Sequence, residues 1–232
     1  MIEHAQIELL KTFVVVPAYN EAKVIGGVVA ALCQVFPNVV VVNDGSSDET
    51  LEILRNSPAQ LISHALNLGQ GASLQTGISR ALALGAEYIL TFDADGQHRI
   101  EDALAALREV QGGGCDVACG SRFLGSKSNI PRGRRLVLKA AVLFSNITTG
   151  THLTDAHNGL RAFSRKAAAI LDISQNGMAH ASEITAQLQR NGMVVHEVPV
   201  QISYTEYSLS KGQSSLNAIN ILIDLVVGRF LK

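Results

Sequence analysis

The stretch Phe13-Val14-Val15-Val16-Pro17-Ala18-Tyr19-Asn20-Glu21 decides the class of fold. Its four leading residues are apolar and three are β-branched, the pattern of a strand buried on both faces of a parallel sheet. The strand is expected to end at Pro17, which has no N–H to give to a ladder. The residues after Pro17 are not glycine-rich. A G-x-G-x-x-G turn is missing and no P-loop occurs, which argues against an NAD enzyme and against a Walker-type nucleotidase.

Outward from this stretch, apolar runs alternate with helical patterns. A helix is expected over 21–36, with Val24, Val28, Ala31 and Val35 on one face. A second strand over 39–42 closes on Asn43-Asp44-Gly45-Ser46-Ser47-Asp48, a polar cluster suited to a turn and a helix N-cap. Helices over 71–84 and 100–110 and strands over 88–92 and 117–119 continue the rhythm. Strand and helix in this order imply right-handed crossovers, a mainly parallel sheet and the α/β class. Ligands of such sheets sit beyond the carboxyl ends of the strands. The second half is less regular. A loop with Lys127, Arg132, Arg134 and Arg135 precedes a helical stretch to 149, a turn over 155–159, two helices and a strand over 194–202. Residues 204–215 are rich in Ser and Gly and read as a mobile loop.

A chain of 232 residues fits one domain. The expected division is a first half over 12–122, a second half over 123–215 and a terminal amphipathic helix over 216–232. A formal net charge of −1 points to no nucleic-acid partner. Cys33, Cys115 and Cys119 match no zinc spacing and read as reduced thiols. The N-terminus lacks the regions of a signal peptide, and no apolar run approaches the ~20 residues of a membrane-spanning helix. A cytoplasmic protein is expected.

Chemistry concentrates in Phe92-Asp93-Ala94-Asp95-Gly96-Gln97. Carboxylates at i and i+2 of an extended segment point the same way, so Asp93 and Asp95 can face one ion. Hard oxygen donors without Cys or His suit Mg²⁺ or Mn²⁺ shared with substrate phosphates. An Asx-type turn capping the next helix would use the same residues. Asp44, closing the second strand, can accept hydrogen bonds from a ribose or base edge, or cap the helix after Ser47.

Six segments together carry a resemblance. They are Val16-Pro17-Ala18-Tyr19-Asn20-Glu21, Asn43-Asp44-Gly45-Ser46-Ser47-Asp48, Asn67-Leu68-Gly69-Gln70-Gly71, Asp93-Ala94-Asp95-Gly96-Gln97-His98, Gly120-Ser121-Arg122-Phe123 and Asn158-Gly159-Leu160-Arg161-Ala162-Phe163. In this order, over nearly the whole chain, they resemble the family-2 glycosyltransferases of the GT-A fold, and most closely the dolichol-phosphate mannosyltransferase-like branch without a transmembrane domain. The chain departs from that pattern at Ile100, where the family usually has proline soon after the paired aspartates.

The resemblance implies a Rossmann-like, mainly parallel sheet flanked by helices and an inverting transfer from a UDP- or GDP-sugar. Pro17, Tyr19, Glu21 and Asp44 would hold the nucleoside, and Asn67, Gly69, Gly71 and Ala94 would line its pocket. Asp93 and Asp95, with Gln97 as third ligand, would hold the metal. Arg122 would lie near the phosphates or sugar, with a helix-capping or surface arginine as its structural alternative. With Asp95 and Arg122, Asp155 completes the catalytic set, as general base for an alcohol acceptor or as an orienting group for an anionic one; an Asx turn is its structural alternative. His98 and His157 read as polar neighbours.

The basic loop reads as a phosphate clamp for a polyprenyl phosphate or as a solvated face, and Lys211 as a lid residue or part of a plain loop. Leu216, Ile219, Ile223, Val226, Val227 and Phe230 share a helical face. That face could lie at the inner surface of the cytoplasmic membrane, pack on the core or join a homodimer. A soluble or cell-surface glycan precursor is the second acceptor reading. The competing class is a non-catalytic nucleotide-sugar-binding module or a partner subunit of a membrane protein.

Overall fold

A computed structural model describes residues 8–124, 142, 146, 152–155, 158–177 and 179–203. Seven strands form one sheet: β1 (Thr12–Ala18), β2 (Asn38–Asp44), β3 (Gln60–His64), β4 (Tyr88–Thr91), β5 (Val117–Ser121), β6 (Arg161–Ser164) and β7 (Val195–Pro199). Their order is β3-β2-β1-β4-β6-β5-β7. All neighbours run parallel except β6, which is antiparallel to both β4 and β5. The helices are α1 (Ile25–Val35), α2 (Thr50–Arg55), α3 (Gln70–Ala83), α4 (Ile100–Gln111), α5 (Arg165–Ala169) and α6 (His180–Arg190).

The period of two along β1 sorts its side chains between two cores. Val14, Val16 and Ala18 meet Ile25, Val29 and Leu32 of α1, Leu54 of α2 and Leu107 of α4. Phe13 and Val15 meet Leu74 and Ile78 of α3, Ala167 of α5 and Ile184 of α6. The result is a three-layer α/β/α domain of the expected class.

The elements differ from expectation in several places. α1 starts at Ile25, because 21–24 form a turn in which the Ile25 N–H bonds the Glu21 carbonyl. Its buried face carries Ile25, Val29 and Leu32, one residue on from the expected face. β1 continues through Pro17, which sits opposite Val42 of β2, while its pairing with β4 stops at Val15. A proline is tolerated where one flank of the ladder has ended. β3 is an additional strand, a half-exposed edge of sequence Gln-Leu-Ile-Ser-His with little apolar signal. β6 is a further strand, formed by the end of the Asn158–Phe163 motif and Ser164.

Helix α3 lies close on the sheet because of Gly77. A Cβ there would stand 2.3 Å from Val15 Cγ1 and 3.3 Å from Val42 Cγ2. Both neighbours are fully buried and β-branched, so neither can turn aside. Gly77→Ala is expected to cost about 1–3 kcal/mol by overpacking. Urea denaturation reads this as a lower midpoint at unchanged slope; an unchanged midpoint would disprove the close-packing account.

Candidate active site

The strand order reverses between β1 and β4, and the segments leaving the carboxyl ends of β1, β2, β3 and β4 surround a cavity of about 450 Å³. Its lining comprises Pro17, Ala18, Tyr19, Glu21, Asp44, Asn67, Gly69, Gln70, Ser73, Asp93, Ala94 and Asp95. Residues from four separate sequence motifs thus meet in one place.

Two of these motifs are laced together. Asn20 takes φ +54°, a left-handed conformation that asparagine tolerates. Its Oδ1 accepts the Ser47 N–H at 2.8 Å, and its own N–H donates to Ser46 Oγ at 3.0 Å. The Glu21 N–H donates to Thr50 Oγ1 at 2.8 Å and the Ala22 N–H to Asp48 Oδ2 at 3.2 Å. Asp48 Oδ1 also accepts the Thr50 N–H at 3.0 Å, so Asp48 is the residue that braces the start of α2.

Asp44 does something else. It is 3% exposed, and its Oδ2 accepts the Gly69 N–H at 2.7 Å while Oδ1 accepts the Leu68 N–H at 3.0 Å. His64 Nδ1 lies 2.7 Å from Oδ1, and His64 Nε2 lies 3.0 Å from Thr76 Oγ1 on α3. The carboxylate therefore shapes the loop that delivers Asn67 and Gly69 to the cavity.

Gly69 takes φ +100°, and a Cβ there would meet the Asn176 carbonyl at 2.3 Å; one on Gly71 would meet the Gln175 carbonyl at 2.0 Å. The tight approach at these glycines is to residues 175–176, and Gly71 itself does not line the cavity. Ser73, one helical turn on from Gln70, joins the lining although no motif marks it. Its Oγ is buried without a hydrogen-bond partner among the described residues. The spacing of three from Gln70 on a helix is the signal that the sequence offers for it.

Asp93 is anchored on both oxygens. Gln70 Nε2 donates to Oδ1 at 3.2 Å, and His98 Nε2 lies 2.9 Å from Oδ2. Burial alone would raise this carboxyl, but the hydrogen bond and charge of His98, with His180 and Arg161 behind it, hold it below the ordinary value. Gly159 packs against the same carboxylate, since a Cβ there would lie 2.1 Å from Oδ2, and Thr91 Oγ1 fixes Gly159 by donating to its carbonyl at 2.7 Å. Asp95 is pushed the other way, upward, by burial and by the charge of Asp93, with Glu21 adding to it. Two part-buried carboxylates that repel each other are a fit for a hard divalent cation.

Gln97 is placed differently from the expectation. It does not line the cavity; its backbone N–H donates to Asp95 Oδ1 at 3.0 Å, which orients the carboxylate. His98 is the expected polar neighbour, and its ring meets Phe92 edge-on at 5.5 Å.

Arg122 and Asp155 stand outside the cavity lining, joined to each other. Arg122 Nε donates to Asp155 Oδ2 at 2.6 Å, Nη2 to Oδ1 at 3.3 Å, and the Arg122 N–H to Oδ2 at 3.1 Å. Asp155 is 2% exposed. Arg122 thus engages both oxygens of the carboxylate. Glu197 on β7 supports the pair by accepting the Thr154 N–H at 2.9 Å and the Asp155 N–H at 3.0 Å. Lys127, Arg132, Arg134, Arg135, His157, Lys211, the 204–215 loop and the 216–232 helix lie outside the described residues. Among the described residues no helix is long and apolar enough to cross a membrane.

The family model for glycosyl transferase family 2 matches residues 13–171. The chain is 30% identical over 237 residues to a UDP-N-acetylglucosamine–dolichyl-phosphate N-acetylglucosaminyltransferase of Methanococcus voltae, covering 93% of this chain and 94% of that one. It is also 30% identical over 220 residues to a polyprenol monophosphomannose synthase of Mycolicibacterium smegmatis, covering 88% and 82%. Among solved structures, glucosyl-3-phosphoglycerate synthase of Mycobacterium tuberculosis with Mn²⁺ and UDP-glucose superposes with a TM-score of 0.70 at 18% identity, over 97% of this chain and 82% of that one. The last likeness confirms the GT-A fold. With that fold, the paired aspartates at the carboxyl end of β4 and a family match across most of the sequence, the chain belongs to glycosyl transferase family 2.

Proposed function

We propose that the protein is an inverting hexosyltransferase that takes a sugar from a UDP- or GDP-sugar and passes it to polyprenyl phosphate at the inner face of the cytoplasmic membrane. The observation that carries the donor half is the cavity in which Asp93 and Asp95 converge with Asp44, Asn67, Gly69 and the unpartnered Ser73 hydroxyl. In it, Asp93 and Asp95 would hold Mg²⁺ or Mn²⁺. The bound ion supplies neutralising charge for the departing diphosphate. His98 and Gln70 keep Asp93 ionised and aimed, and the Gln97 amide aims Asp95. Pro17, Tyr19 and Glu21 offer a wall for the nucleoside on a loop whose backbone is already fixed.

The acceptor half is supported by the names of the two relatives above, each of which specifies a lipid-linked acceptor or product. The pairing of Asp155 with Arg122 agrees with it: a phosphate acceptor is already anionic and needs no base to remove a proton. Arg132, Arg134 and Arg135 would then clamp that phosphate, with Lys211 closing over it.

Thermal melts with a panel of UDP- and GDP-sugars, with and without Mn²⁺, test the donor. A ligand at 100 times its dissociation constant is worth about 2.7 kcal/mol, a readily visible shift. One donor is expected to stabilise in a metal-dependent manner and then to deliver its sugar to polyprenyl phosphate in vesicles. Stabilisation by no donor would remove the donor assignment; transfer only to water-soluble acceptors would remove the lipid one.

A further inference from the structure

At the opposite end of the sheet from the cavity, three side chains from separate parts of the sequence come together. Glu109 lies near the end of α4, Cys115 in the turn before β5, and His196 at the start of β7. One ligand atom from each can be chosen so that all lie within 4.8 Å of one another. His196 Nδ1 is 2.8 Å from Glu109 Oε1. The imidazole lies over the turn itself, with His196 Cε1 3.8 Å from where a Cβ on Gly114 would stand. We propose that Glu109, Cys115 and His196 form a second metal site, which takes a borderline-soft divalent ion of the Zn²⁺ type with water in a fourth position.

The donor set separates this site from the first. Thiolate and imidazole select zinc-like ions, whereas the all-oxygen pair Asp93 and Asp95 suits Mg²⁺ or Mn²⁺. Cys115 is 7% exposed and forms the floor, while the Glu109 and His196 side chains are about 43% and 44% exposed and leave a way in from solvent. Burial and the charge of Glu109 push the Cys115 thiol up, and a cation held between them reverses both effects. As a bare ion pair, His196 and Glu109 would be a half-exposed surface contact of small worth. With a metal they become two arms that pin the edge strand β7 to the α4–β5 turn, and β7 carries the Glu197 that supports Asp155.

Cobalt titration of the reduced, chelator-stripped protein tests the proposal. Co²⁺ is expected to give a thiolate-to-metal charge-transfer band that saturates near one equivalent and bleaches when Zn²⁺ is added. Cys115→Ser should abolish the band. Glu109→Gln and His196→Gln, at half-exposed positions that do not endanger folding, should each weaken Co²⁺ binding at least about tenfold. Asp95→Ala should keep the band, since it touches only the donor cavity. Absence of the band in the wild type, its persistence in Cys115→Ser, its loss in Asp95→Ala, or indifference to both glutamine variants would each overturn the assignment.

Discussion

Asp95→Ala is expected to lower turnover about a thousandfold and at the same time to change how stability depends on pH. The activity loss follows from the geometry of the pair. Asp93 is already engaged on both oxygens by Gln70 and His98, so Asp95 is the carboxylate with more to offer a cation. Metal-borne charge stabilisation is worth several kcal/mol, and about 4 kcal/mol corresponds to a thousandfold in rate. The stability change follows from the upward push on the Asp95 carboxyl by burial and by Asp93. A carboxyl whose folded pKa exceeds its unfolded value takes up a proton on folding, so it erodes stability as pH rises through the carboxylate range. Alanine also forfeits the Gln97 hydrogen bond, so the informative quantity is the trend. Measured without metal, the variant should gain on the wild type as pH rises through and above the ordinary carboxylate pKa of about 3.9. Turnover within tenfold of wild type would refute the assignment; parallel stability curves would refute the electrostatic account.

Arg122→Ala should be the most destabilising of the single changes considered, at about 3–5 kcal/mol, because it strands a buried carboxylate. Asp155 is 2% exposed, and both of its oxygens face the guanidinium. Arg122→Lys restores the charge but not the two-point geometry, so it should recover only part of the loss. Chemical denaturation reads both. A cost below about 1 kcal/mol for alanine would mean that the pair behaves like a surface contact. A lysine variant equal to wild type would mean that charge alone matters.

The lining of the cavity is largely legible in the sequence because its residues sit in short motifs at strand ends, where local chemistry and position coincide. Asp93, Asp95, Tyr19 and Asn67 are of this kind. Residues that act through the fold are not. Nothing local says that the Asp44 carboxylate turns toward Leu68 and Gly69, or that Arg122 reaches Asp155 across 33 positions. The buried face of α1 lies one residue from the expected one because valines and small residues occur on several sides of the helix. The edge strand β3 leaves little trace because exposure on an edge removes the apolar run that marks a buried strand. Cys115 looks isolated along the chain because its neighbours, Glu109 and His196, belong to other elements.

The antiparallel strand β6 bears on the order in which the molecule can be assembled. It lies between β4 and β5 in the sheet, although both precede it in the chain. Until residues 161–164 have arrived, β5 has no bridge to the four strands before it, and Asp93 lacks the Gly159 segment that packs against its carboxylate. A ribosome that has released only the first half has therefore produced four strands that can pair with one another, but a sheet that cannot yet extend to β5. Long-range pairing of this kind slows folding and leaves edges open meanwhile. The two halves of the chain are thus consecutive in sequence, yet Asp93 gains the packing of Gly159 against its carboxylate only when both are in place.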